Sequence, residues 1–171
     1  MKKALVVIDM QNDFIDGSLG TKEAVKIVPN VKARIAAAMA EHDIVVFTMD
    51  THPENYLETA EGKKLPVKHC IKPTKGWEIC DALKEYAGRA AVIEKPTFGS
   101  TELPAAVKDA DDITLVGLCT DICVISNALL LKAFYPEKKI AVDANCCAGV
   151  TPESHKNALE VMKMCQIDIV E

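Results

Sequence analysis

ITLVGLCTDICVISNALLLKAF, residues 113 to 134, sets the reading of the whole chain. Its first six residues, ITLVGL at 113 to 118, form a short and almost wholly apolar run, the composition of a strand covered on both faces. A Cys-Thr-Asp turn follows, and DICVISNALLLKAF at 121 to 134 reads as a helix. Strand, tight turn and helix in that order form one half of a crossover unit.

Working outward, the strand pattern recurs as ALVVID (4 to 9), IVVFTMD (44 to 50), AAVIEK (90 to 95), IAVDA (140 to 144) and IDIV (167 to 170). Helical patterns lie between them. VKARIAAAMAEH at 31 to 42 follows Asn30, a good N-cap, and spaces Val31, Ile35, Ala38 and Met39 on one helical face. ELPAAVKDA (102 to 110) and PESHKNALEVMKM (152 to 164) continue the alternation. This rhythm predicts an α/β fold: three α/β/α layers, Rossmann-like, around a mainly parallel sheet of about six strands.

The bulk numbers agree with one packed unit. The 171 residues, 49% hydrophobic and 26% charged, suit a single domain spanning 1 to 171. Net charge is −5 and the basic residues are scattered, which excludes a nucleic-acid footprint. No run approaches the roughly 18 apolar residues of a membrane span, and Asp9 interrupts the apolar opening too early for a signal-peptide core. Seven cysteines without framework spacing, Cys146 and Cys147 adjacent, point to free thiols and a cytoplasmic protein.

Parallel sheets bind ligands outside the carboxyl ends of their strands. The residues there are Asp9, Asp50 and His52, Lys95, and the turn leading to Cys123. Segment 51 to 76 is a long connection with Pro53, Pro66, Pro73 and Gly76, and connections of that length are usually functional. Cys123 falls in the first turn of the predicted helix, where free backbone N–H groups and the helix dipole favour a thiolate and can hold an oxyanion. Asp9 is then the proton acceptor and Lys95 the neighbouring cation. Each residue has a plainer reading as well: a turn aspartate, a solvated lysine and a small core thiol.

VVIDMQNDF (6 to 14), EKPTFGS (94 to 100) and GLCTDICV (117 to 124) resemble the isochorismatase-like cysteine hydrolase superfamily, and the likeness continues through VDANCCAGVTPESHKNAL at 142 to 159. The resemblance implies a catalytic triad of Asp9, Lys95 and Cys123. It also implies a non-proline cis peptide between Cys119 and Thr120 that shapes an oxyanion hole with Cys123. Within the superfamily the chain looks nearest to the nicotinamidase and pyrazinamidase branch, because Asp50, His52, Glu61 and His69 offer a metal set. Two carboxylates and two imidazoles suit a divalent ion, Zn²⁺ first, with Fe²⁺ and Mn²⁺ as alternatives. Glu58 and Glu54 compete with Glu61 for the third place. Phe14 and Phe98 are expected to stack on a flat substrate ring, with Leu65 standing where the branch often has tryptophan. His42 and His155 read as structural, and Cys146 and Cys147 as packing.

The expected activity is therefore hydrolysis of nicotinamide, or pyrazinamide, to the acid and ammonia through a cysteine thioester, by a dimer or tetramer. One rival is a metal-independent amidase of the same superfamily acting on carbamoyl or ureido compounds. Another is a non-catalytic, redox-sensing protein that uses its thiols on the same scaffold.

Overall fold

KALVVI, Lys3–Ile8, forms strand β1 and sends its side chains alternately to two interiors. Leu5 and Val7 enter one apolar cluster, and Ala4, Val6 and Ile8 enter the other. A computed structural model describes residues 1–171, and β1 lies near the middle of its six-stranded sheet. The other strands are β2 (Ile44–Asp50), β3 (Ala91–Lys95), β4 (Asp112–Leu118), β5 (Lys139–Ala148) and β6 (Asp168–Val170). Their order is β3-β2-β1-β4-β5-β6, and every neighbouring pair is parallel.

Seven helices cover the sheet: α1 (Asn12–Ile15), α2 (Lys22–Ala40), α3 (Ala60–Lys64), α4 (Lys84–Ala87), α5 (Leu103–Ala106), α6 (Ile125–Phe134) and α7 (Pro152–Met164). Helix α2 supplies Ala24, Ile27, Val31, Ile35 and Ala38 to the first cluster. Leu103 of α5, Ala128 and Leu131 of α6 and Met162 of α7 pack in the second. The expected three-layer, Rossmann-like architecture is what forms. No helix is long and apolar enough to cross a membrane.

The chain winds outward from β1 through β2 to β3, then restarts at β4 on the other side of β1. The carboxyl ends of β1 and β4 thus flank a topological switch point, where such sheets open a crevice. Gly117 lets these two strands meet. It has φ +116°, and a Cβ there would lie 2.1 Å from the Ile8 carbonyl oxygen.

Three local expectations change. Helix α2 starts at Lys22, with the Thr21 hydroxyl accepting from Ala24 N–H, and continues through Pro29. Asn30 caps nothing; its side chain donates to the Asn145 carbonyl. A proline breaks a helix only where its lost N–H and ring crowding outweigh packing, and here five buried residues of one stripe hold both flanks. Strand β5 runs on to Ala148, burying Cys146 and Cys147 on opposite faces. The long connection 51 to 76 contains a short 3₁₀ turn at Tyr56–Glu58 and helix α3, and Tyr56 is fully buried.

Candidate active site

Four parallel strands bring the predicted strand-end residues to one edge. Ile8 is in register with Thr48 and with Gly117, and Asp50 is in register with Lys95. Asp9 follows β1 in the left-handed region, φ 47°, which an aspartate tolerates better than most residues. Its backbone N–H donates to the Thr48 carbonyl, and the Thr48 hydroxyl donates to Asp9 Oδ1 at 2.6 Å.

Lys95 joins the groups. Its Nζ lies 2.6 Å from Asp9 Oδ2, 3.4 Å from Cys123 Sγ and 3.8 Å from Asp50 Oδ1, and it donates to the Thr97 carbonyl. Asp9, Lys95 and Cys123 are all buried, at 0%, 1% and 4% exposure, so the charges persist only because they are paired. Burial pushes the Asp9 carboxyl above its ordinary range, and Lys95 offsets this only in part.

Burial and the Asp9 carboxylate also push the Cys123 thiol well up. This corrects the expectation of a low-pKa thiolate at a helix start. Cys123 sits inside one wide turn, Thr120–Val124, in which the Cys119 carbonyl accepts from Ile122 N–H and Val124 N–H, and α6 begins only at Ile125. Desolvation is the largest influence on the thiol, and it favours the protonated form.

The non-proline cis peptide lies between Leu118 and Cys119, one bond earlier than expected. The sheet's hydrogen bonding ends at Leu118, paired with Ala148, so the chain reverses there and Thr120 already belongs to the turn.

A second group adjoins the first. One ligand atom from each of Asp50, His52, Glu61 and His69 lies within 4.8 Å of the others. His52 Nε2 and His69 Nε2 lie 2.9 Å and 3.3 Å from Asp50 Oδ2, and each lies 3.6 Å from Glu61 Oε1. His69 Nδ1 is 2.8 Å from the Val67 carbonyl, which fixes its proton on that side and leaves the Nε2 lone pair facing the carboxylates. Such a convergence of two oxygens and two imidazole nitrogens fits a divalent metal. Of the three competing glutamates only Glu61 reaches the group. Glu58 accepts from Asn55, and Glu54 pairs with Lys68.

The three expected ring-binding residues separate. Phe14 is buried with its ring centroid 5.5 Å from that of His69. Phe98 and Leu65 are exposed, at 44% and 37%. Their backbones are the anchored parts: the Phe98 carbonyl accepts from Asn127, and the Leu65 carbonyl from the Tyr56 hydroxyl.

Several supporting residues had no assigned role. The Gln11 side chain clamps Asp50, donating to its carbonyl and accepting from its N–H at 2.8 Å each. Asp13 Oδ2 accepts from Cys70 N–H, fixing the residue after His69. Tyr56 packs its ring 4.7 Å from His52 and 4.9 Å from His69, its hydroxyl reaching Glu61. Gln11 and Asp13 lie within the VVIDMQNDF segment; for Tyr56 the only signal is an aromatic residue in a polar loop. A separate hollow of about 250 Å³ opens at the opposite, amino edge of the sheet among Lys3, Arg34, Asp112 and Lys139, and is lined by no cysteine or histidine.

The profile of the family described as isochorismatase domain matches residues 3–170. The chain is 30% identical over 173 residues to the uncharacterised isochorismatase family protein PncA of Bacillus subtilis, covering 93% of each chain. A crystal structure of nicotinamidase PncA from Bacillus subtilis superimposes with TM-score 0.85 at 28% identity, over 100% of both chains. The pyrazinamidase of Pyrococcus horikoshii in complex with zinc superimposes with TM-score 0.83 at 28% identity, over 100% of this chain and 99% of that one.

Proposed function

The chain belongs to the isochorismatase domain family, and from that premise we propose that it is a nicotinamidase, hydrolysing nicotinamide to nicotinate and ammonia. The observation that carries this reading is the adjacency of two groups: a buried carboxylate, ammonium and thiol beside a cluster of two imidazoles and two carboxylates, with Asp50 common to both. Relatives named for nicotinamidase or pyrazinamidase activity, one of them a zinc complex, support it.

Cys123 Sγ attacks the carboxamide carbon while its proton passes to Asp9. Because burial favours the protonated thiol, proton transfer and C–S bond formation proceed together in this reading. The Lys95 ammonium, 3.4 Å from the sulfur, stabilises the negative charge as it develops. Backbone N–H groups of Thr120 and Cys123 receive the oxyanion. Collapse breaks the C–N bond as Asp9 returns the proton to the departing nitrogen, and a water deprotonated by Asp9 then cleaves the thioester. Asp50, His52, Glu61 and His69 would hold a divalent ion, Zn²⁺ in this reading, which would supply Lewis acidity toward the pyridine ring and so help orient the amide.

Ammonia release from nicotinamide, pyrazinamide and an N-carbamoyl amino acid, before and after chelation, tests the assignment. Turnover of the two ring amides that is lost with the metal supports it. Turnover confined to the carbamoyl compound and indifferent to chelation contradicts it.

A further inference from the structure

Thr120 and His155 are 35 residues apart and meet beside the nucleophile: Thr120 Oγ1 lies 2.7 Å from His155 Nδ1. This is the only polar partner of the Thr120 side chain, and Thr120 is fully buried. Threonine at the start of a helical turn has an alternative. Its hydroxyl oxygen commonly accepts a backbone N–H two or three residues ahead, which here means Ile122 or Cys123. The Cys123 N–H is one of the donors the proposed mechanism needs.

We propose that His155 is a positioning residue: it holds the Thr120 hydroxyl away from the backbone of the nucleophile turn, keeping the Cys123 N–H free for the substrate's carbonyl oxygen, the Ile122 N–H being already bonded to the Cys119 carbonyl. Burial lowers the His155 pKa and so favours the neutral ring, and the role given to it is that of the tautomer with its proton on Nε2, whose Nδ1 accepts from the Thr120 hydroxyl. The fold is built to bring the ring there. His155 occupies the first turn of α7, whose start is fixed by the Thr151 and Ser154 capping box. Gly149 lets that turn settle onto the end of β5, since a Cβ at 149 would lie 2.8 Å from the His155 backbone nitrogen. Asp121 accepts from Val150 N–H, so segment 149–155 grips the nucleophile turn at two successive residues.

The inference rests on the amidase reading, and one double-mutant cycle with nicotinamide separates the two. His155→Phe is expected to lower kcat about 10-fold to 100-fold, less than loss of a dedicated oxyanion donor, with KM unchanged within about twofold. His155→Asn, which can still accept the hydroxyl proton, restores most of the turnover. In a Thr120→Val background, where no hydroxyl remains to turn inward, His155→Phe has no further effect. If His155→Phe does not fold, Gly149→Ala replaces it, since its Cβ would press on the His155 backbone and shift the ring away from Thr120, and its kcat loss is likewise absent in the Thr120→Val background. Equal losses in both backgrounds, or a loss in KM alone, overturn the role given to His155. A wild-type protein that releases no ammonia from nicotinamide overturns the amidase reading itself.

Discussion

Asp50 and Lys95 are register partners on β2 and β3, and Asp50 Oδ1 lies 3.8 Å from Lys95 Nζ. The other Asp50 oxygen lies 2.9 Å from His52 Nε2. One carboxylate therefore spans from the imidazole cluster to the ammonium beside the Cys123 sulfur. In the proposed mechanism, the groups that orient the substrate and those that activate the thiol thus share a residue.

The cluster's carboxylates are unequal, which metal retention can measure. Glu61→Gln is expected to weaken divalent-metal binding by at least about 10-fold, because a charged oxygen donor is lost. Glu58→Gln and Glu54→Gln should leave it unchanged, since both side chains point to other partners. Metal content after dialysis against a graded chelator reads the difference. Equal retention by Glu61→Gln and wild type would remove Glu61 from the ligand set.

Lys95 is 1% exposed between Asp9, Asp50 and Cys123. Lys95→Ala strands buried carboxylates without a countercharge, and the expected cost is roughly 3–5 kcal/mol of folding stability. Urea unfolding measures it. A loss under about 1 kcal/mol, the size of an exposed pair, would mean that water reaches the ammonium.

Asp9 must be ionised to take the thiol proton, and burial raises its carboxyl above the ordinary carboxylate range. Protonation on the acid side removes the base, so kcat/KM should fall as pH drops, beginning at a higher pH than an exposed aspartate would give. The Cys123 thiol is also raised, so iodoacetamide should alkylate it slowly at neutral pH and faster toward alkaline pH. A pH–rate profile flat down to the usual aspartate range would contradict the first expectation. Rapid alkylation at neutral pH would contradict the second.

Gly117 has φ +116°, and a Cβ there would meet the Ile8 carbonyl oxygen at 2.1 Å. Gly117→Ala forces β1 and β4 apart at the switch point and is expected to cost roughly 2–5 kcal/mol. The melting temperature should fall accordingly; an unchanged value would show that the strand ends separate easily.

The fold was legible because parallel strands buried on both faces write themselves as short apolar runs, and their ends are where polar residues resume. Asp9, Asp50, Lys95 and the Cys123 turn were placed on one edge by that rule alone. The start of α2 was not legible, since Pro29 reads as a boundary and only packing of Ala24 and Ile27 carries the helix through it. The choice of Glu61 over Glu58 needed the backbone of the connecting segment. A Cβ at Gly62 would lie 2.0 Å from the Tyr56 carbonyl oxygen, so α3 folds tightly over Tyr56 and turns Glu61 inward. The contact between Thr120 and His155 joins elements with no shared period, and nothing local announces it.

The most direct test of the chemistry is ammonia release from nicotinamide by Cys123→Ala beside the wild-type protein, both folded and metal-loaded. The account predicts that kcat/KM falls by at least ~10³-fold, as it does when a nucleophile is removed. Turnover by the alanine variant at a rate near that of wild type would contradict the role given to the sulfur.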